Sequence, residues 1–195
     1  FYLLLVVVGG FMSAYFTFVY EGVNRFFSKF SSAYLRIVIG GAILGLLVFV
    51  MPPLYGEGHE VINHLKAGHP ELSISSNIFG WNLENPWVVI LLLGGLVLFK
   101  VVATSVTFGA GGVGGIFSPM LFMGGVMGNC FARIINQIDI LPYKLPLANF
   151  TLIGMTALMT GVLHAPLTAI FLIAEVTGGY SLFVPAMVTA VVSFS

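Results

Sequence analysis

Long runs without a charged residue alternate along this chain with short polar interruptions. Residues 1–20 carry no charge and then meet Glu21, Arg25 and Lys29, which predicts one long helix over 1–30 with an amphipathic, water-facing end. Arg36 opens a second span over 33–51, stopped by Pro52-Pro53. Residues 86–108 and 116–137 predict two more long spans, and three shorter apolar segments follow at 150–160, 165–175 and 180–194. His164-Ala165-Pro166 and Gly178-Gly179 separate those three, and Pro142 and Pro146 mark a loop before them.

A bilayer core needs about 20 apolar residues of helix, because unsatisfied backbone amides are expensive there and a helix satisfies its own. The segments at 150–160 and 165–175 are too short to cross alone. Broken helices at membrane depth are characteristic of transporters and channels, where the interruption lines a cavity or a binding site. Arg25, Lys29 and Arg36 cluster in the first connection, so the excess of basic residues in cytoplasmic loops places that turn inside and residues 52–86 outside.

That outer stretch is the most polar part of the chain, with Glu57, Glu60, Glu71, Glu84 and Lys66. A short helix is expected over 57–67. His59, His64 and His69 recur every five residues, a spacing that does not gather them on one helical face; they read as a solvated loop, with no metal site. Lys100 lies well inside the third span. A cation at that depth either snorkels to the surface or lines an aqueous vestibule.

Composition agrees with a membrane class. Hydrophobic residues make up 58% of the 195, charged residues 7%, and mean hydropathy is +1.06, whereas soluble domains carry about 25% charged residues. Seven basic and seven acidic residues cancel, leaving no basic field for nucleic acid. A single cysteine, Cys130, excludes an intrachain disulfide framework. The chain opens in mid-hydrophobe at Phe1 and ends within an apolar segment at Ser195, so further sequence is expected on both sides.

Residues 109–119 read Gly-Ala-Gly-Gly-Val-Gly-Gly-Ile-Phe-Ser-Pro. Gly109, Gly111 and Gly114 satisfy a G-x-G-x-x-G spacing, but the surroundings are uncharged membrane-length runs, where a dinucleotide site needs a βαβ unit. The same physics suits a simpler anion. Glycines let backbone amides approach a ligand, and the following helix begins with unpaired N–H groups and a partial charge of about +0.5. Pro119 suits the first turn, where a missing N–H costs little. The outcome is a halide-sized, positively polarised pocket without a basic residue. Uncharged donors also favour release of a transported ion. Gly41-x-x-x-Gly45 and Gly124-x-x-x-Gly128 are expected instead to let helices pack closely.

Gly115-Ile116-Phe117-Ser118-Pro119 is similar to the G-x-F-x-P signature of the CLC family of chloride channels and chloride/proton antiporters. His164-Ala165-Pro166-Leu167-Thr168 with Glu175-Val176-Thr177 resembles that family's A-P-L-T…E-x-T segment, and Gly56-Glu57-Gly58 resembles the start of its short outer helix. The order and length of spans match the family's second inverted repeat over nearly the whole chain.

The resemblance implies an all-α polytopic fold of tilted and broken helices, with 1–195 a single, incomplete transmembrane unit of a multi-pass protein of the cell membrane. It implies transmembrane chloride transport, by channel or by exchange for protons, with no catalysis and no cofactor besides the bound chloride. The amides of Ile116 and Phe117 would bind chloride, with Gly111, Gly112, Gly114, Gly115, Ser118 and Pro119 shaping the loop. Residues 165–194 would contribute to a homodimer interface. The family's glutamate gate, first-half serine ligand and proton-transfer glutamate would lie before Phe1, and its pore tyrosine beyond Ser195.

Two other chemistries fit the sequence less well. An intramembrane hydrolase would join Ser118, His164 and Asp139, but the chain lacks a G-x-S-x-G elbow. Another broken-helix secondary transporter, such as a cation-coupled carrier, would place carboxylates at the unwound segment, and 109–119 has none. Glu175 borders Thr177-Gly178-Gly179 and reads as a structural hydrogen-bonding acid near a membrane surface, and His164 as a helix break.

Overall fold

The computed structural model describes residues 1–56, 58–67, 85–139, 142–177 and 182–194. Glu57, His69, Glu71, Glu84, Gly178, Gly179 and Tyr180 lie outside the described residues, and with them parts of the expectations above. The chain is all-α: α1 (Tyr2–Ser28), α2 (Ala33–Val50), a 3₁₀ turn at Pro52–Leu54, α3 (His59–Ala67), α4 (Pro86–Gly109), α5 (Phe117–Ile138), α6 (Leu147–Leu163), α7 (Pro166–Thr177) and α8 (Phe183–Phe194). Helices α1, α2 and α4 are long and apolar enough to cross a membrane, and α6, α7 and α8 are shorter apolar helices.

Local chemistry sets several boundaries. Asn85 caps α4 by accepting from the Trp87 amide at 3.0 Å, with Pro86 at the first helical position. Helix α5 ends at Asp139 and α6 at His164, both left-handed with φ of 56° and 54°. His164 therefore breaks the chain between α6 and α7, and Pro166 starts the next helix, where its missing N–H is harmless. At the other end of α6, Asn136 donates to the Leu145 carbonyl at 3.0 Å and accepts from the Leu145 amide at 2.7 Å. That pair joins the end of α5 to the start of α6.

Helix α6 is the centre of the bundle. Every residue from Phe150 to Thr160 is buried, as expected of a helix hydrophobic all round. It packs chiefly on α5, and glycines set the distance. A Cβ on Gly124 would sit 2.5 Å from the Gly154 carbonyl oxygen, and one on Gly128 would run into the Phe150 carbonyl. The packing expected of Gly124-x-x-x-Gly128 is thus backbone against backbone. Asn129, fully buried one residue further on, donates to the Leu65 carbonyl at 3.3 Å and to the Thr151 hydroxyl at 3.0 Å, and accepts from Arg133 Nε at 2.8 Å. That network ties α3, α5 and α6 together with its polar atoms paired.

The other glycine pair is a correction. A Cβ on Gly41 or Gly45 would meet nothing within 4 Å among the described residues. Gly40 makes the close approach instead, against Ala110, with the Phe27 ring 3.6 Å away. Helix α2 touches the bundle along a narrow strip, and Gly40 is its one buried residue; Gly41 and Gly45 fall off that strip.

Candidate functional site

Helix α4 ends in the glycine run, and the structure divides that run by task. Gly109 lies under the Phe27 ring, 2.7 Å from where a Cβ would stand. The amides of Ala110, Gly111 and Gly112 close the last turn of α4, bonding to the carbonyls of Val106, Phe108 and Thr107 at 2.9, 3.0 and 2.8 Å. Gly111 does so at φ 98°, which a side chain rarely adopts. Those amides finish a helix. Gly114 and Gly115 are exposed and border a cavity.

Helix α5 then begins without a side-chain cap. Ile116 is its N-cap residue, with φ −77° and ψ −19°, and its carbonyl accepts the first bond, from Met120 N at 3.2 Å. The Ile116 and Phe117 amides precede that bond, so the helix does not use them. No acidic side chain stands in the first turn, and Ser118 and Pro119 complete it. The arrangement offers partial positive charge from backbone alone.

The cavity beside this start has a volume of about 480 Å³ and is bounded by α2, the Leu54–Gly56 stretch, α4 and the glycine run. Lys100, Thr104 and Thr107 line it from one face of α4, Gly114, Gly115 and Pro119 from the other side. Among the described residues, no carboxylate lines it. Lys100 is 4% exposed, so it does not snorkel. Its ammonium donates to the Leu54 carbonyl at 2.8 Å and the Gly56 carbonyl at 2.7 Å and lies 4.9 Å from the centre of the Phe122 ring. A buried ammonium needs such partners, and here they come from the outer segment. Gly58 packs against the same Phe122 ring. The sequence showed a buried cation in the third span, but partners 44 and 46 residues away carry no local signal.

The remaining candidates are scattered. Ser118 and Asp139 stand at opposite ends of the 22-residue α5, roughly 30 Å apart at 1.5 Å per residue; with His164 they are not brought together as a hydrolytic triad. His164 is exposed at the α6–α7 break, and Glu175 is exposed near the end of α7. Cys130 donates weakly to the Ile90 carbonyl at 3.6 Å, a packing role. His59 begins α3 and His64 sits five residues further on, about 1.4 turns away and so on a different face.

The family model for voltage gated chloride channels matches residues 1–195, the whole chain. A ClcB-like chloride channel protein of Ralstonia nicotianae is 31% identical over 164 residues. That alignment covers 82% of this chain and 33% of the relative, so the chain spans about a third of the length of the curated relative it matches. An all-helical, membrane-length bundle interrupted at a G-x-F-x-P sequence, matched from end to end by the family model, belongs to the voltage gated chloride channel (CLC) family, a family of integral, multi-pass membrane proteins.

Proposed function

We propose that this chain supplies one wall of a transmembrane chloride pathway, with the backbone amides of Ile116 and Phe117 as donors to a largely dehydrated chloride. The observation that carries the reading is the start of α5, which has no side-chain cap and whose neighbours Gly114, Gly115 and Pro119 line a cavity with no carboxylate among its described lining residues. A halide fits such a place because polarised N–H groups and the helix dipole act without a fixed counter-charge that would trap it. Gly111 and Gly112 shape the approach by finishing α4; Gly114 and Gly115 keep side chains away from the ion; Ser118 and Pro119 complete the first turn.

Magnitudes require further donors. Removing an anion from water into a medium of ε ≈ 4 costs tens of kcal/mol, while one helix end returns up to about 2 kcal/mol. The balance comes from parts of the protein beyond this third. Two copies join through 165–194 in this reading, supported by the exposed apolar residues Leu167, Phe171, Val184, Val188 and Val191 on α7 and α8.

The test is chloride flux from liposomes holding the full-length protein, with and without an imposed proton gradient. Chloride flux is expected; its absence overturns the reading. Proton movement in a fixed ratio with chloride identifies exchange, and flux indifferent to protons identifies a channel. Bromide soaked into crystals is expected to give anomalous signal beside the Ile116 and Phe117 amides.

A further inference from the structure

The turn between α1 and α2 gathers positive charge that its own residues leave unanswered. Residues 21–36 hold Arg25, Lys29 and Arg36 against one acid, Glu21. That acid is taken, since it accepts from Arg25 at 2.9 Å one helical turn away. Lys29 is exposed, and no acidic side chain among the described residues pairs with it. Arg36 is half-buried in the first turn of α2, and its Nε is shut off from water with no hydrogen-bond acceptor among the described residues. A guanidinium keeps its charge at any accessible pH, and a buried donor without a partner is costly. The side chain calls for an anion.

The surroundings select which anion. Helices α1 and α2 are both long and apolar enough to cross a membrane, so the turn that joins them lies at the membrane surface. Arg36 stands one helical turn before Gly40, the residue by which α2 approaches Ala110 and the Phe27 ring, and so shares that inward strip. On the two sides of the turn Phe26, Tyr34, Leu35, Ile37 and Val38 are exposed, and the Phe26 ring sits edge-on to those of Phe27 and Phe30 at 5.4 and 5.3 Å. A soluble anion would use the charges alone. A phospholipid uses both features, because its phosphate meets the cations, which for arginine is a two-pronged contact, while its acyl chains cover the apolar residues. The excess of basic residues places this turn on the cytoplasmic side, where the leaflet carries anionic lipid.

We infer that the α1–α2 turn binds the phosphate of an anionic phospholipid, held by the Arg36 guanidinium and the Lys29 ammonium, with the acyl chains lying along Ile37 and Val38 of α2. The exposed hydroxyl of Ser32, which does not cap α2, is a further donor at the same turn. A lipid held there fastens α2 to α1 at the membrane surface, where α2 otherwise touches the bundle only along a narrow strip. The site is separate from the Ile116 and Phe117 amides, so it stands or falls independently of the chloride reading.

The test is native mass spectrometry of the full-length protein in detergent, titrated with dioleoyl phosphatidylglycerol or with dioleoyl phosphatidylcholine. The unaltered protein is expected to retain phosphatidylglycerol in preference to phosphatidylcholine. Lys29→Gln and Arg36→Gln are each expected to weaken phosphatidylglycerol binding about fivefold, the scale of one basic residue at a charged membrane surface, and to leave phosphatidylcholine binding unchanged. Arg36→Lys keeps the charge without the fork, is expected to fall between, and serves if the glutamine variant fails to fold. Lys66→Gln removes the same charge from α3 and is expected to change nothing. Equal retention of phosphatidylglycerol in the doubly substituted protein, or an equal loss in Lys66→Gln, overturns the inference. Displacement of the lipid by millimolar glycerol phosphate makes the site one for soluble phosphate and overturns it in that form. A structure of the full-length protein with a protein carboxylate seated on Arg36 also overturns it.

Discussion

The ammonium of Lys100 donates to the Leu54 carbonyl at 2.8 Å, joining the middle of a membrane-length helix to the 3₁₀ turn that follows α2. With its second bond, to Gly56 at 2.7 Å, the lysine fixes one rim of the cavity from within. Lys100→Met keeps the length of the side chain and removes the charge and both donors. The variant is expected to lose about 1.5–3 kcal/mol of stability, read as a lower unfolding midpoint in detergent, with Lys100→Arg much closer to the unaltered protein. Equal midpoints for the methionine variant would show the clamp to be inert.

Between α5 and α6, Gly154→Ala is expected to cost roughly 1–3 kcal/mol, because its Cβ would meet the Gly124 carbonyl and the backbone of Gly128. Gly41→Ala on α2 should be neutral or slightly stabilising, since nothing stands within 4 Å of its missing side chain. Thermal unfolding of the two variants side by side checks the contrast; similar losses in both would mean that the helix contact is misread.

Asn129→Leu keeps the bulk but strands a partner. It leaves Arg133 Nε without its acceptor and the Leu65 carbonyl without its donor. A loss of about 1–3 kcal/mol is expected, together with faster amide exchange at the end of α3, measured by mass spectrometry. Exchange that is unchanged at residues 59–67 would detach α3 from the network.

The role of a backbone amide can be tested by proline. Ile116 has φ −77°, within reach of a proline ring, and Gly115 before it is tolerant. Ile116→Pro removes one N–H while Ile116→Ala keeps it. Halide affinity, measured by titration calorimetry on the full-length protein, is expected to fall about tenfold in the proline variant relative to the alanine variant. Equal affinities would release the Ile116 amide from the site.

Much of this was legible in the chain. Charge-free runs located α1, α2 and α4, because apolar length is a property of the residues themselves, and the glycine run located the break before α5. Segment ends were less legible: 150–160 becomes Leu147–Leu163, since Pro146 permits an earlier start and His164 enters the left-handed region later than the apolar pattern fades. The Lys100 clamp could not be read at all. It depends on which face of α4 meets the outer segment, and that is decided by packing between residues far apart in sequence. Gly40 replaced Gly41 and Gly45 for the same reason: the spacing of small residues says that a helix can be approached closely, and only the neighbour decides where.

Because carbonyl and Cα atoms of α5 and α6 abut at Gly124, Gly128 and Gly154, the pair behaves as a stiff beam whose end carries the Ile116 and Phe117 amides. Discrimination among ions of different radius would then come from an aperture of fixed calibre more than from side chains that adjust around each guest. Drift in the lipid-facing residues of such a beam would leave that calibre unaltered.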